Sequence, residues 1–318
     1  MDLSLVFLGT SGAVPTAQRG PSGLLLIRGG ERLLFDCGEG TQRQLMRSVG
    51  LARISRIFLT HLHGDHYLGL PGLLKTMSLQ GREEPLELYG PTGLEEMLQM
   101  AQRMFGRSQF PLLVSEVIPG EVIDCDGYAI DSARTEHGLP SLAWCLDEHW
   151  RPGRFHPEKA VELGVVPGPD FRRLQSGESV VLESGGVVEP EQVMDERRPG
   201  RKIVITGDTR PSPGIIAFSA GATVLVHEST FADSEQDRAA ETRHSTAREA
   251  AEVAAQARVL QLVLTHVSSR HGKRELLSEA RQAFPRVILP DDLDQLVVPY
   301  PEKGLPVLAP RVSCGPAT

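Results

Sequence analysis

Six consecutive residues, His61-Leu62-His63-Gly64-Asp65-His66, constrain this chain more than any other segment. They follow an apolar run, Ile54–Thr60, that reads as a strand. Imidazole and carboxylate donors crowded at a strand end, with no cysteine among them, suit zinc or another divalent first-row metal such as manganese. Gly64 is expected to allow a backbone turn that aims several donors at one point. Asp65 and His66 are adjacent and need not reach the same ion as His61 and His63. The spacing therefore suggests two neighbouring ions.

More ligands must come from elsewhere, and the chain offers them at strand ends. Ile57-Phe58-Leu59-Thr60-His61 is echoed by Leu262-Val263-Leu264-Thr265-His266. The strand Lys202–Thr206 leads into Gly207-Asp208-Thr209, Thr223–Val226 into His227-Glu228, and Tyr128–Thr135 precedes His137. Sheets of this kind gather their sites outside strand carboxyl ends, so these ends are expected to converge. Asp208 could bridge two ions. His244 directly precedes Ser245-Thr246-Ala247-Arg248-Glu249, where Thr246 and Glu249 have capping-box spacing and a helix should begin. A helix start favours a phosphate nearby, which makes His244 a candidate proton donor and Glu228 its candidate partner.

Strands and helices alternate through both halves, which predicts a layered α/β architecture. The strands Gly23–Arg28 and Arg32–Cys37 flank Gly29-Gly30, a hairpin signal. Residues 148–200 differ: they are rich in Gly, Pro and charge, without long apolar periodicity, and are expected to protrude as an inserted arm rather than join the core. The expected division is 1–147 with 201–318 as the metal-binding domain and 148–200 as the arm.

The 318 residues carry a formal net charge of −8, which argues against a general nucleic-acid binder but leaves local patches open. Cys37, Cys125, Cys145 and Cys314 are far apart and form no CxxC, so reduced thiols in a cytoplasmic protein are expected. The N-terminus lacks the basic start of a signal peptide, and no run approaches the ~18 apolar residues of a membrane span.

The ordered motifs FDCGEGTQ, HLHGDH, EHGLPS, GDT, HEST, HST and LTH resemble ribonuclease Z, the tRNA 3′-end processing endonuclease family of the metallo-β-lactamase fold superfamily. The resemblance runs from Leu5 to about His271. It implies a four-layer αββα sandwich and a homodimer in which the arm of one subunit serves the active site of the other. It implies zinc ligation by His61, His63, His137 and Asp208 at one ion, and by Asp65, His66, Asp208 and His266 at the other. Asp36 would support the ligands from behind, Asp65 would serve catalysis as well as ligation, and Glu228 with His244 would deliver a proton. The arm would grip tRNA, with Gly168-Pro169 matching its Gly-Pro motif. The implied activity is removal of the 3′ trailer from precursor tRNA, leaving a 3′-hydroxyl.

Two departures stand out. Pro15-Thr16-Ala17-Gln18-Arg19-Gly20 keeps Pro15 and Arg19 of a Pro-x-Lys-x-Arg-Asn loop tied to discrimination at the CCA end, but has Ala17 and Gly20 in place of Lys and Asn. His266-Val267-Ser268-Ser269-Arg270-His271 lacks aromatic residues usual after the histidine and the arginine. Two other readings compete: a hydrolase of the same fold acting on a small phosphodiester or thioester, and a non-catalytic RNA-binding protein. The arm and the His244–Glu228 pair separate the first from the preferred reading; the full ligand set argues against the second.

Overall fold

The computed structural model describes residues 1–51 and 53–309; Cys314 lies outside the described residues. Among those described, Cys37, Cys125 and Cys145 are free thiols.

Two sheets carry the larger unit, which comprises Met1–Cys125, Ala129–Leu146 and Arg201 onward. The first sheet has eight strands. From one edge these are Val307–Ala309, Gln295–Val297, Leu3–Gly9, Gly23–Arg28, Glu31–Phe35, Ile54–Phe58, Leu86–Gly90 and Leu112–Glu116. The second has seven: Val287–Ile288, Gln261–Thr265, Val224–Glu228, Lys202–Ile205, Leu142–Glu148, Tyr128–Arg134 and Val122–Cys125. The expected hairpin at Gly29-Gly30 is present, with Arg28 opposite Glu31.

Alternation along the strands decides what lies between the layers, because successive side chains point to opposite faces. Ile57 packs under helices Thr41–Arg47, Leu70–Leu79 and Leu94–Phe105, alongside Leu45, Leu73 and Leu94. Its neighbour Phe58 points the other way and meets Trp144 of the second sheet edge-on, ring centroids 5.2 Å apart. That arrangement contributes on the order of 1 kcal/mol beyond the area it buries. Leu225, Leu262 and Leu264 of the second sheet pack on Ala250, Ala254 and Leu276 of helices Ala247–Gln256 and Lys273–Ala283. Helix, sheet, sheet and helix thus form the expected four layers. The Ala-rich face of Ala247–Gln256 lets that helix lie close to its sheet. Its start carries the expected capping box, Thr246 accepting from Glu249 N and Glu249 accepting from Thr246 N.

Sequence periodicity missed several short elements: the edge strand Val122–Cys125, helices Pro213–Phe218 and Gln236–Thr242, and the closing strands from Val287 onward. The stretch 148–200 is not a structureless loop. Asp126–Tyr128 and Asp147–Gly200 form a second compact unit. It has short helices Pro157–Glu162, Pro169–Gln175 and Pro190–Val193, and a small hairpin pairing Val180–Val181 with Val187–Val188. Ala160, Val165, Leu174, Val180, Val188 and Val193 form its core. Those apolar residues are spread too irregularly to show a period in the sequence. Pro169 begins its helix at the first position, where a missing N–H costs nothing, with Gly168 as the preceding residue.

Candidate metal centre

The ends of four strands and the loops after them bring seven side chains into two clusters. His61, His63, His137 and Asp208 form one; Asp65, His66 and His266 form the other, and in each all donor atoms lie within 4.8 Å of one another. Asp208 faces both. Its Oδ2 is 3.6 Å from His61 Nε2, while Oδ1 is 3.4 Å from both His66 Nε2 and His266 Nε2. Strands Ile54–Phe58 and Gln261–Thr265, whose sequences echo each other, lie in different sheets and deliver His61 and His266 to opposite sides of Asp208.

Outer partners set which ring nitrogen faces inward. His66 Nδ1 donates to Asp36 Oδ2 at 2.8 Å, and His137 Nδ1 donates to the Arg243 carbonyl at 3.1 Å. Thr60 Oγ1 contacts Asp36 at 3.0 Å and so gives its hydrogen there; it then accepts from His61 Nδ1 at 3.0 Å. Thr230 Oγ1 likewise donates to Glu228 Oε2 at 2.6 Å and accepts from His266 Nδ1 at 2.9 Å. With Nδ1 so engaged, each of these four rings turns its Nε2 toward the cluster, the nitrogen that metal ligation would use. His63 turns Nδ1 inward instead, 3.1 Å from both His61 Nε2 and His137 Nε2.

These residues fit divalent cations. Three imidazole nitrogens converge at hydrogen-bond distance with at most one hydrogen between any two, and Asp208 Oδ1 is buried with no hydrogen-bond partner. Buried polar atoms are rarely left so unless something else completes them. Burial would lower His66, but Asp208 and Asp36 override it and hold it well above the ordinary imidazole value, so a cation bound there would have to displace a proton. Burial holds His61 well below the ordinary imidazole value, with His66 adding to the effect, and His63 is lowered by burial and by His137. Both are then neutral, as ligands must be. Asp208 is pushed up by burial, but His266, His66 and His61 more than offset this and keep it a carboxylate. Burial also raises Asp65, yet the hydrogen bond from His266 and the charge of His66 bring it well below the usual carboxylate range.

Backbone strain concentrates here. Of the non-glycine residues with positive φ, Ala13 (60°), Asp36 (57°), Arg243 (60°) and His266 (56°) all belong to the site. Each such residue costs about 1–3 kcal/mol, which the surrounding hydrogen bonds must offset. The conformation of Ala13 directs its N–H to Asp65 Oδ2 at 2.9 Å. Gly12 passes so close to His266 that an added Cβ would sit 2.8 Å from its Nδ1. Gly64, expected as the special turn residue, instead opens the short helix Gly64–Tyr67, and the helical turn itself aims Asp65 and His66.

Beside the clusters, His244 Nδ1 lies 2.9 Å from Glu228 Oε1. Burial would lower this imidazole, but the Glu228 carboxylate overrides it and the ring is pushed up to about 9. Glu228 is itself 1% exposed and accepts from Thr209 N at 2.8 Å and Ser245 N at 3.1 Å. Its neighbour His227 is buried on the other face, with Nδ1 donating to the Glu228 carbonyl at 2.8 Å.

Arg19 stands apart from the clusters. Its guanidinium meets Thr10 Oγ1, the Pro290 carbonyl at 2.8 Å and Asp291 Oδ1 at 2.6 Å. Gly168 and Pro169 belong to the second unit. Sequence reasoning missed Thr60, Thr230, Ala13 and the Arg243 carbonyl. The HEST motif contained Thr230, but nothing in the sequence says which way a hydroxyl points.

An αββα sandwich with paired histidine–aspartate clusters at one rim defines a metal-dependent hydrolase of the metallo-β-lactamase class. The family model of the Metallo-beta-lactamase superfamily matches residues 18–260. The chain is 48% identical to ribonuclease Z of Natronomonas pharaonis over 95% of this chain and all of that protein. It is 48% identical to ribonuclease Z of Myxococcus xanthus over 89% of this chain and 93% of that one. Human tRNase Z, short form, superposes with a TM-score of 0.67 at 31% identity, covering 93% of this chain and 99% of that structure. The chain belongs to the ribonuclease Z family.

Proposed function

We propose that the protein is a zinc-dependent endoribonuclease that removes the 3′ trailer from precursor tRNA, acting as a homodimer in the cytoplasm. The observation that carries this reading is the His244–Glu228 pair set against two complete ligand clusters. Hydrolysis of a small activated ester has little need of a dedicated acid, whereas an RNA ribose oxygen is a poor leaving group.

His61, His63, His137 and Asp208 would hold one ion, and Asp65, His66, Asp208 and His266 the other. Bound there, two divalent ions supply Lewis acidity toward a phosphodiester and a lowered pKa for water. Asp36 fixes His66. Asp65, held as a carboxylate, takes a proton from the attacking water. As the bond from phosphorus to the 3′-oxygen breaks, His244 gives its proton to that oxygen, and Glu228 keeps the ring charged until then. The products are a tRNA 3′-hydroxyl and a trailer with a 5′-phosphate. Glu228 accepts several hydrogen bonds besides that of His244, so its position does not depend on the substrate.

The unit around 148–200 supplies tRNA affinity, with Gly168 and Pro169 shaping the entry to its helix. For Arg19 we propose bracing of the loop that presents Ala13 to Asp65, since its fork already has protein partners. Among the described residues no helix is long and apolar enough to cross a membrane.

The test compares three substrates: a precursor tRNA, a chromogenic phosphodiester and a thioester, with the 3′ ends of the RNA products sequenced. Cleavage at the trailer junction is expected. Thioester turnover without RNA cleavage would overturn the assignment.

A further inference from the structure

Next to His137 the metal-binding unit opens a recess of about 430 Å³ that neither metal cluster fills. Its walls include Arg134, at the end of strand Tyr128–Arg134, and Arg243, at the end of helix Gln236–Thr242. Both are exposed, and no carboxylate lines the recess. The chain's net charge of −8 does not extend to the lining of this recess, which carries two guanidinium groups and no carboxylate.

Arg243 is the more informative of the two. Its carbonyl orients His137, and its Nη1 donates back to the His137 carbonyl at 3.0 Å. The residue sits at φ 60°, where glycine would be unstrained and could offer the same carbonyl. A strained arginine there adds a guanidinium with donors to spare beyond the one already engaged. His137 belongs at once to the recess wall and to the metal cluster, and its ring centroid is 5.2 Å from that of His244. Whatever occupies the recess therefore lies directly beside the group that would protonate the leaving oxygen.

We infer that Arg134 and Arg243 bind a phosphodiester of the RNA strand adjacent to the bond that is cut. The inference rests on the RNA reading above and adds a contact close to the reaction rather than on the arm. Guanidinium forks match the non-bridging oxygens of a phosphate, and the contact carries no base preference, so it would grip the strand whatever its sequence.

The experiment uses the full zinc-loaded chain and precursor tRNAs in which one linkage at a time, on either side of the cut, is a neutral methylphosphonate. The variants are Arg134→Ala, Arg243→Gly and the double variant; glycine retains the backbone conformation and the carbonyl that holds His137. For the unchanged chain, one position is expected to raise KM about tenfold, the scale of one charge-assisted hydrogen bond. On unmodified RNA each variant raises KM by a similar factor and flattens the log–log salt dependence, by roughly 0.7 for one lost phosphate contact on a single strand. The position-specific methylphosphonate penalty should then disappear in the double variant, which simple loss of structure would not produce. If Arg243→Gly loses zinc, Arg134→Ala alone decides. A penalty undiminished in the variants, or the absence of any position-specific penalty, would overturn the inference. Failure of the unchanged chain to cut any precursor tRNA would instead overturn the RNA reading, and this inference with it.

Discussion

Glu228 Oε1 accepts the Nδ1 hydrogen of His244 at 2.9 Å inside a pocket where the carboxylate is almost fully buried. A buried carboxylate this close favours the charged imidazole, and His244 sits above its ordinary value for that reason. Removing the ring in His244→Ala should lower kcat on precursor tRNA by roughly 10²–10⁴-fold, with zinc content unchanged by elemental analysis. The acid form exists below its pKa and is lost as pH rises through it, so the alkaline limb of kcat should lie above the ordinary imidazole range. Glu228→Gln keeps an acceptor but removes the charge, and its pH–rate profile should show that limb moved down. An unmoved limb would mean that another group is the acid.

Thr230 joins the two halves of the chemistry. Its hydroxyl gives its only hydrogen to Glu228 and receives one from His266. Thr230→Val, of nearly the same shape, removes both links at once. Groups in this supporting position typically affect metal affinity or activity 10–100-fold. A loss of roughly that size is expected in both kcat and zinc affinity, with Thr230→Ser restoring most of each. Unaltered metal affinity in the valine variant would show that His266 does not depend on this hydroxyl.

Much of this site was legible beforehand because its donors follow strands. An apolar run closed by Thr60-His61 or Thr265-His266 announces both the element and the side chain at its end, and the structure gathers those ends with Asp208 between them. The capping box at Thr246 was legible for the same reason, since it is a local pattern with a fixed offset. What stayed hidden depends on direction rather than order. The Ala13 N–H reaches Asp65 across 52 positions, and the Arg243 carbonyl reaches His137 across 106. Backbone groups carry no residue signature, so no motif could reveal them. The second unit was hidden differently: its core is built from isolated valines, an alanine and a leucine between short helices. Elements of that length leave no period to detect.

Among the described residues Asp208 is the carboxylate whose two oxygens face the two clusters, so both ions should depend on it. Each ion that binds only the folded chain at about a hundred times its Kd stabilises it by ~2.7 kcal/mol, so two contribute ~5.4 kcal/mol. For a chain of this size that raises Tm by roughly 8 °C. Exhaustive chelation should therefore lower Tm by about that amount, and added zinc should restore it. Asp208→Ala should lose zinc, and its Tm should respond to neither treatment. A variant that still binds two ions per chain would refute the bridging role.

Gly12 leaves no room for a side chain beside His266. An alanine Cβ would fall 2.8 Å from His266 Nδ1 and 2.9 Å from its carbonyl oxygen, so backbone as well as ring must shift. Gly12→Ala should then displace His266 from Asp65 and lower zinc occupancy to nearer one ion per chain, with kcat falling at least tenfold. Because the first cluster has four donors of its own, one ion should remain. Loss of both ions would mean that the clusters are not independently occupied.

The neck of the second unit offers a clean excision. Arg151 N donates to the Arg198 carbonyl at 2.8 Å, and Arg198 N donates back to the Arg151 carbonyl at 2.9 Å, so a short turn can join them much as in a hairpin. Residues 152–197 can be replaced by a two-residue Asn-Gly turn, which suits such a closure. The core of this unit is its own, and none of the seven metal-facing side chains belongs to it. The shortened chain should keep its zinc and its turnover of a chromogenic phosphodiester, while KM for precursor tRNA rises by an order of magnitude or more. The contrast between substrates is what assigns the unit to RNA binding. Equal loss on both, with zinc released, would make it a structural support instead.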